Sequence, residues 1–122
     1  MQWEFKDDRP IYAQIIEQIK LRIVAGELAP GGKLPSVREL AAEAGVNPNT
    51  MQRALSDLER EGLLYAQRTA GRFITEDQSM IDAVKNQLAK RLAADFLDHM
   101  QRIGYRRDEV LALLAQVKEE EE

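Results

Sequence analysis

The residues best suited to chemistry in this sequence are polar side chains in the first turns of one predicted helix. Asparagine and glutamine amides can pair bidentately with adenine, arginine can do so with guanine, and a threonine methyl can contact the thymine methyl. Free N–H groups at a helix N-terminus also attract phosphate. These residues, with the proline that opens the helix, are Asn47, Pro48, Asn49, Thr50, Gln52 and Arg53. We expect this turn to enter the major groove of duplex DNA.

A second set of candidate residues flanks this turn on both sides. Ser36 and Arg38 begin the preceding predicted helix, where contacts that position a protein on the DNA backbone usually arise. Residues 65–75 contain no acidic residue. We expect their loop to reach a neighbouring minor groove, because a narrow A·T-rich groove concentrates negative potential. The candidates there are Arg68, Thr69, Gly71 and Arg72.

Capping and solvent exposure are alternative roles for these polar residues, and each residue taken alone also fits an exposed helix face. Ser36 and Glu39 have the spacing of a capping box, in which each side chain satisfies a free backbone donor. Asn47 followed by Pro48 is typical of a helix start. Two capped helices, a turn at Gly45 and a hairpin occur in the order of a winged helix-turn-helix, which favours the DNA interpretation.

The net charge of the chain is a weak argument against a nucleic-acid partner. Seventeen basic and twenty-one acidic residues give −4, and residues 119–122 are all glutamate. Fields between exposed charges are screened over roughly 8–10 Å, so a local basic surface matters more than the total. We therefore expect modest, strongly salt-dependent affinity.

Enzymatic and metal chemistry find little support in the sequence. The chain has no cysteine and one histidine, and Gly31-Gly32 lacks the following Lys-Ser/Thr of a phosphate-binding loop. Asp95, Asp98 and His99 have helical metal-ligand spacing, but a single histidine without a ligand on another helix favours an exposed polar face. We expect no cofactor and no metal. Neither a membrane-spanning run nor a signal peptide is evident, so we expect a cytoplasmic protein that does not contact membranes.

Hydrophobic periodicity predicts the elements that position these residues. The first helix is expected to have Pro10 at its first position, Gly26 as its cap and Gln14 on its polar face, after a possible short strand with Trp3 and Phe5 on one side. Residues 63–66 and 72–75 are predicted strands joined by residues 67–71. The expected fold is mainly α with a small β-hairpin: a winged helix-turn-helix domain followed by two C-terminal helices.

The central block resembles the GntR family of bacterial transcription regulators. The resemblance covers about residues 9–75 with specific motifs and 76–118 by length and pattern only. The start PIYAQI at residues 10–15 and the variant NPNT resemble the YtrA-type subfamily. The family motifs are LPSVRELA at residues 34–41, GVNPNTM at 45–51 and LEREGLL at 58–64.

The resemblance implies a dimeric winged-helix repressor of a subfamily that often controls genes for ABC-type transporters. By the match, Arg38, the Asn49-Thr50 pair and Gly71 fall where the family contacts DNA. Many members have arginine where this chain has Pro48 or Gln52, so the operator bases cannot be carried over from them.

The C-terminal region predicts dimerisation. We expect residues 1–76 to form the DNA-binding domain and 77–122 a two-helix dimerisation tail whose acidic end frays after Lys118. Two helices offer few walls for an effector pocket of ~300–1,000 Å³, so a large pocket is not expected and any effector is unidentified. One long apolar stripe is expected to pack against a second copy in an isologous dimer, although an intrachain core is the alternative. It comprises Ile81, Val84, Leu88, Leu92, Phe96, Met100 and Ile103.

Two functions therefore compete at this level. The first is a sequence-specific regulator that binds double-stranded, pseudo-palindromic operator DNA, with half-sites about 34 Å apart. The second is a winged-helix module that binds another protein without specific DNA binding. The basic, acid-free hairpin favours the first.

Overall fold

The computed structural model describes residues 1–118, which form five helices and a two-stranded antiparallel sheet. This composition confirms the expected helical chain with a small hairpin. The predicted fraying of the terminal glutamates lies outside the described residues. None of the helices within 1–118 combines the length and hydrophobicity needed to cross a membrane. The elements are α1 (Ile11–Val24), α2 (Val37–Ala44), α3 (Pro48–Arg60), β1 (Leu64–Gln67), β2 (Gly71–Ile74), α4 (Gln78–Arg102) and α5 (Arg107–Gln116).

Two compact units divide the chain, Met1–Lys85 and Asn86–Glu122. The first unit extends beyond residue 76, where the sequence analysis placed the domain boundary. Its extension arises because Ile81 at the start of α4 is 4% exposed within the core, with Met80 and Val84 packed against that core.

The core of the first unit lies between α1, α2, α3 and the hairpin. Ile15 and Ile19 of α1 and Leu55 and Leu58 of α3 are each at most 1% exposed, and α1 and α2 both pack against α3. Burying one such side chain stabilises the fold by ~1.5–3 kcal/mol. The two helices of the helix-turn-helix are thus held by a common apolar interior, and their polar starts are left at the surface.

The ends of α2 and α3 follow the predicted capping signals. Ser36 Oγ accepts the Glu39 N–H at 3.1 Å, and the Ser36 N–H donates to Glu39 Oε1 at 3.0 Å. Gly45, with φ 70°, ends α2, and the Asn47 side chain caps α3. These interactions confirm the capping box, the glycine turn and the asparagine cap.

The first strand of the hairpin begins one residue later than predicted, and the second strand ends one residue earlier. Gly62 adopts φ 90°, which lets the Leu63 N–H donate back to the Leu58 carbonyl at 3.0 Å. Because the end of α3 uses this donor, the first strand starts at Leu64 rather than at Leu63. The paired strands close between Gln67 and Gly71, so the loop comprises only residues 68–70.

A third segment pairs with the hairpin. Lys33 forms an isolated antiparallel bridge with Phe73, and the Leu34 N–H donates to the Arg72 carbonyl at 2.9 Å. The Gly31 N–H donates to the Ile74 carbonyl at 2.8 Å. The chain before α2 therefore covers the outer edge of β2.

The N-terminal segment does not form the expected strand. The Gln14 side chain accepts the Lys6 N–H and donates to the Lys6 carbonyl, both at 2.8 Å, and Gln18 makes the same exchange with Glu4. Side-chain amides thus take the place of a partner strand. The polar-face prediction for Gln14 was wrong, because this amide is buried among backbone groups and is 1% exposed.

The boundaries of α1 also differ slightly from the prediction. Pro10 is the N-cap rather than the first helical residue, because its own backbone is extended while its carbonyl accepts the Gln14 N–H. Ala25 is the C-cap, and Gly26 follows it.

The second unit contains the later turns of α4 and α5. Val110 of α5 is 3% exposed and Leu88 is 5% exposed. Helix α4 ends at Arg102, and the Tyr105 N–H donates back to the Met100 carbonyl. The final helix, α5, begins at Arg107 and ends at Gln116.

Candidate nucleic-acid interface

The first turn of α3 presents an exposed polar surface. Asn49 and Gln52 are exposed and Thr50 is half-buried. The Gln52 Nε2 group donates to Ser56 Oγ at 3.2 Å, so part of its hydrogen-bonding capacity is already used along the helix. The Asn49 side chain is the freest amide in this turn, because the structure gives it no side-chain hydrogen bond within residues 1–118.

Asn47 and Pro48 shape this turn rather than extend it. Asn47 Oδ1 accepts the Asn49 N–H at 2.7 Å, which occupies that oxygen. Pro48 fills the first helical position, where its missing N–H costs no helical hydrogen bond. Both residues are exposed, but their local roles are sufficient to explain their types.

Arg53 is held by an aromatic ring of another helix. Its guanidinium carbon lies 4.1 Å from the centroid of the Tyr12 ring in α1. A cation over a tyrosine face is attracted by the ring quadrupole. Nothing in the sequence pattern indicated this contact, because Tyr12 and Arg53 are far apart in the chain and meet only through the packing of α1 against α3.

The first turn of α2 carries an exposed cation. Arg38 is exposed and forms no ion pair within the described part of the chain. Ser36 is engaged in the capping box, which leaves it only partly available to a ligand. The backbone N–H of Ser36, then its hydroxyl, hold the pKa of the Glu39 carboxyl below its ordinary value, and the Lys33 charge acts in the same direction.

The hairpin loop and strand β2 contain two differently placed arginines. Arg68 and Thr69 are exposed in the loop, and Arg68 has no ion-pair partner among residues 1–118. Arg72 Nε instead lies 2.5 Å from Glu59 Oε1 of α3, and the Arg72 side chain is only 18% exposed. The structure therefore does not bring Arg72 to the hairpin tip with Arg68.

A groove of about 590 Å³ separates the start of α2 from the hairpin. Gly71, with φ 105°, stands at its rim, and a Cβ there would lie 3.3 Å from Cε of Lys33. Lys33 was not among the residues predicted to contact DNA, although its place directly before the extended Leu34-Pro35 pair was an available signal. The groove is lined by Lys33, Leu34, Pro35, Ser36, Val37, Glu39, Ala70, Gly71 and Arg72.

Cations elsewhere in the first unit are mostly paired. Arg9 bonds Glu17 at 2.9 Å, Lys20 bonds Glu61 at 3.0 Å and Arg60 bonds Asp57. Arg38 and Arg68 differ from these residues because their charges are available to an external anion. This contrast marks the start of α2 and the hairpin loop as the part of this unit best suited to phosphate.

Two of the three residues with metal-ligand spacing, His99 and Asp98, have other partners. His99 Nδ1 lies 2.7 Å from the Asp95 carbonyl, and Asp98 bonds Arg102 at 3.0 Å. Within residues 1–118, no three His, Cys, Asp or Glu side chains are grouped so that they could hold a metal ion.

Some side chains of the apolar stripe that was predicted to form the dimer interface are buried within the chain, and others are exposed. Ile81 and Val84 contribute to the core of the first unit, so they are not available in the way the sequence analysis expected. Leu88 is buried and Met100 is half-buried. The large exposed members are Leu92 at 49%, Phe96 at 42% and Ile103 at 70%.

Comparisons with known proteins agree with this architecture. The family described as "Bacterial regulatory proteins, gntR family" matches residues 11–74. The chain is 43% identical to the HTH-type transcriptional regulator YhcF of Bacillus subtilis, over 88% of this chain and 89% of that protein. It is 42% identical to the HTH-type transcriptional repressor YtrA of Bacillus subtilis, over 74% and 73% respectively.

Solved structures show the same arrangement. A GntR family transcriptional regulator from Listeria monocytogenes has a TM-score of 0.83 and 39% identity, over 93% of this chain and all of that one. The DNA-binding domain of AraR in complex with operator ORX1 has a TM-score of 0.53 and 34% identity, over 62% of this chain and 92% of that one. The family match and these neighbours confirm the winged-helix fold.

Proposed function

This chain belongs to the GntR family of bacterial regulatory proteins and is a transcriptional regulator rather than an enzyme, and we propose that it acts as a homodimeric repressor on a pseudo-palindromic operator. One observation carries the proposal. The polar start of α3 is exposed on the same unit as two arginines, Arg38 and Arg68, that have no ion-pair partner among residues 1–118. Unpaired cations beside a polar helix start suit a duplex, whose phosphates and base edges require both.

We assign base reading to the first turns of α3. Asn49 and Gln52 carry amides that can bond adenine, and Thr50 can contact a thymine methyl. Arg53 retains its charge while it stacks on Tyr12, so it can contact a guanine or a phosphate at the edge of the groove.

Backbone contacts are assigned to the groove between α2 and the hairpin. Lys33 and Arg38 are exposed cations on the two sides of the α2 start, and Arg68 extends the positive surface to the hairpin loop. Phosphate contacts of this kind fix orientation on the duplex and make affinity salt-dependent.

The second unit is the proposed dimerisation region. Leu92, Phe96 and Ile103 are large apolar side chains that each leave more than 40% of their surface exposed. Leu92 and Phe96 are one helical turn apart in α4, and exposed apolar surface of this kind favours an interaction surface. A second copy would cover this face through isologous contacts and place two α3 helices on successive half-sites, about 34 Å apart.

The regulated genes are proposed from similarity. The relative YtrA carries the name of a repressor, and the YtrA-type resemblance implies an operon for an ABC-type transporter. Deleting the gene should raise transcripts of its target operon, and restoring the wild-type gene should return them to their original level. Unchanged or reduced transcripts would contradict repression.

The experiment that tests DNA recognition is selection of duplexes by the purified protein from a random-core library, followed by anisotropy titration. Arg38→Ala and Arg68→Ala should weaken binding of the selected duplex and each reduce the salt slope by about one. Arg60→Ala is the matched control, because Arg60 is exposed but already paired with Asp57.

Enrichment of no sequence would contradict the proposed function. That result would instead favour the winged-helix module that binds another protein. Equal weakening in Arg60→Ala would show that only total charge matters, and it would contradict the assignment of the surface.

A further inference from the structure

One ion pair among residues 1–118 links the hairpin to the recognition helix α3. Arg72 lies in β2 and Glu59 lies in the last turn of α3, with Nε and Oε1 2.5 Å apart. Their side chains are 18% and 31% exposed, so the pair is partly shielded from water. Partial burial strengthens such an interaction relative to a fully exposed pair.

The backbone of Arg72 is also held by hydrogen bonding and strand pairing. Its carbonyl accepts the Leu34 N–H at 2.9 Å, and its register partner in β1 is Ala66. The next residue, Phe73, stacks on Tyr65 with ring centroids 5.7 Å apart. Arg72 is therefore a poor candidate to swing outward and contact a ligand directly.

The negative charge of Glu59 is unfavourable for DNA binding unless a cation such as Arg72 neutralises it. A carboxylate on a helix that enters a DNA groove repels phosphates, and its removal should by charge alone strengthen binding. Glu59 is useful to a DNA-binding protein if its charge is neutralised in a bond that sets geometry. Arg72 provides that bond to the hairpin.

We propose that Glu59 and Arg72 are positioning residues that set the hairpin loop relative to α3. The pair would fix the spacing between the major-groove turn of α3 and the minor-groove contact of Arg68. The part of this inference that concerns affinity rests on the proposed function, and it replaces the sequence-based assignment of Arg72 as a direct DNA contact.

The test compares Glu59→Gln, Arg72→Gln and the double variant in titrations with the selected duplex and with a scrambled duplex. Each single variant should lose about two- to tenfold in affinity for the selected duplex. The affinity loss of the double variant should not exceed that of the single variant that binds less tightly, because both substitutions break the same bond. Affinity for the scrambled duplex should change less. Asp57→Asn is the matched control, because it removes the same charge from α3 and breaks a bond to Arg60 that stays within the helix.

A second measurement needs no DNA. Since the chain has no cysteine, Thr69→Cys in the hairpin loop and Ala42→Cys in α2 give two specific spin-label sites. Helix α2 packs against α3, so the distance between the labels reports on the position of the loop relative to this pair of helices. Double electron–electron resonance should show a broader distance distribution after Glu59→Gln and an unchanged one after Asp57→Asn. Thermal melts followed by circular dichroism establish that each variant is folded.

Three outcomes would overturn the proposal. Equal or tighter operator binding by Glu59→Gln, with weaker binding and a smaller salt slope for Arg72→Gln, would show that Arg72 contacts phosphate itself. Operator affinity unchanged in both variants would show a bond without a positioning role. An unchanged distance distribution after Glu59→Gln would refute the geometric claim even if the protein selects no duplex, which separates this failure from failure of the proposed function.

Discussion

The guanidinium carbon of Arg53 lies over the ring of Tyr12, 4.1 Å from its centroid, and this contact joins α3 to α1. Tyr12 is half-buried and Arg53 is exposed, so the guanidinium contacts the ring and is still accessible to solvent or DNA. The arrangement restricts a long side chain before any ligand binds. Ordering such a side chain only on binding would cost ~0.5–1.5 kcal/mol.

Replacing the ring should therefore affect both stability and recognition. Tyr12→Leu should lower the free energy of unfolding by about 0.5–1 kcal/mol more than Tyr12→Phe, because only phenylalanine retains the aromatic face. Urea unfolding measures this difference. Tyr12→Phe should also keep operator affinity near that of the wild type, and equal stability of the two variants would contradict a contribution from the stacked cation.

Substitutions at Asn47 and Asn49 should distinguish a residue that stabilises α3 from a residue that binds DNA. Asn47→Ala removes the cap of α3 and should cost about 1 kcal/mol of unfolding free energy. Asn49→Ala keeps the capped backbone N–H and should leave stability within about 0.5 kcal/mol. It should nevertheless weaken binding of the selected duplex by ~1–3 kcal/mol if the amide reads a base. Unfolding curves and titrations of both variants provide the comparison, and an affinity loss confined to Asn47→Ala would count against base reading by Asn49.

The capping box should contribute a pH-dependent share of stability. The pKa of Glu39 is lowered, first by the Ser36 N–H and then by its hydroxyl. A lowered folded-state pKa gives stability that is present above the unfolded value, about 4.3 for glutamate, and lost as the pH falls through the folded value. Glu39→Gln should therefore be less stable than the wild type near neutral pH, with the difference disappearing in acid. Unfolding curves at several pH values measure it, and parallel pH profiles would contradict this prediction.

The exposed apolar face of α4 should control the oligomeric state. Phe96→Glu should shift sedimentation from dimer to monomer, because loss of an aromatic hot spot costs about 2 kcal/mol or more at an interface and a buried unpaired carboxylate adds to that cost. Ala94→Glu introduces the same charge at an exposed position two residues away along the helix, which directs it to another face. This control should remain dimeric. A wild-type monomer at micromolar concentration would eliminate the dimer proposal.

Much of the first unit was predictable because its signals are local. Ser36 with Glu39, and Asn47 with Pro48, act within four residues of sequence, and the structure shows each cap formed. Gly62 likewise ends α3 through a bond between near neighbours. Capping depends on side-chain type and short spacing, which are properties that a sequence displays directly.

The features that sequence analysis missed depend on contacts between distant residues. Gln14 has the periodicity of a surface position, yet the N-terminal segment folds over it and buries its amide. Arg72 belongs to an acid-free stretch, but Glu59 lies thirteen residues earlier and meets it through the packing of α3 on the hairpin. Neither contact follows from hydrophobic period or local charge, because both require the tertiary arrangement.

Leu63 connects the recognition helix to the hairpin with no further linker residue after it. Its N–H completes the last turn of α3 and its carbonyl accepts the Thr75 N–H at 2.9 Å, so one residue serves both elements. Together with the Glu59–Arg72 ion pair, this short connection restricts bending between α3 and the hairpin. We therefore expect distortion in the complex to fall on the nucleic acid, and pyrimidine–purine steps, which kink easily, should be favoured between the segments contacted by α3 and by the loop.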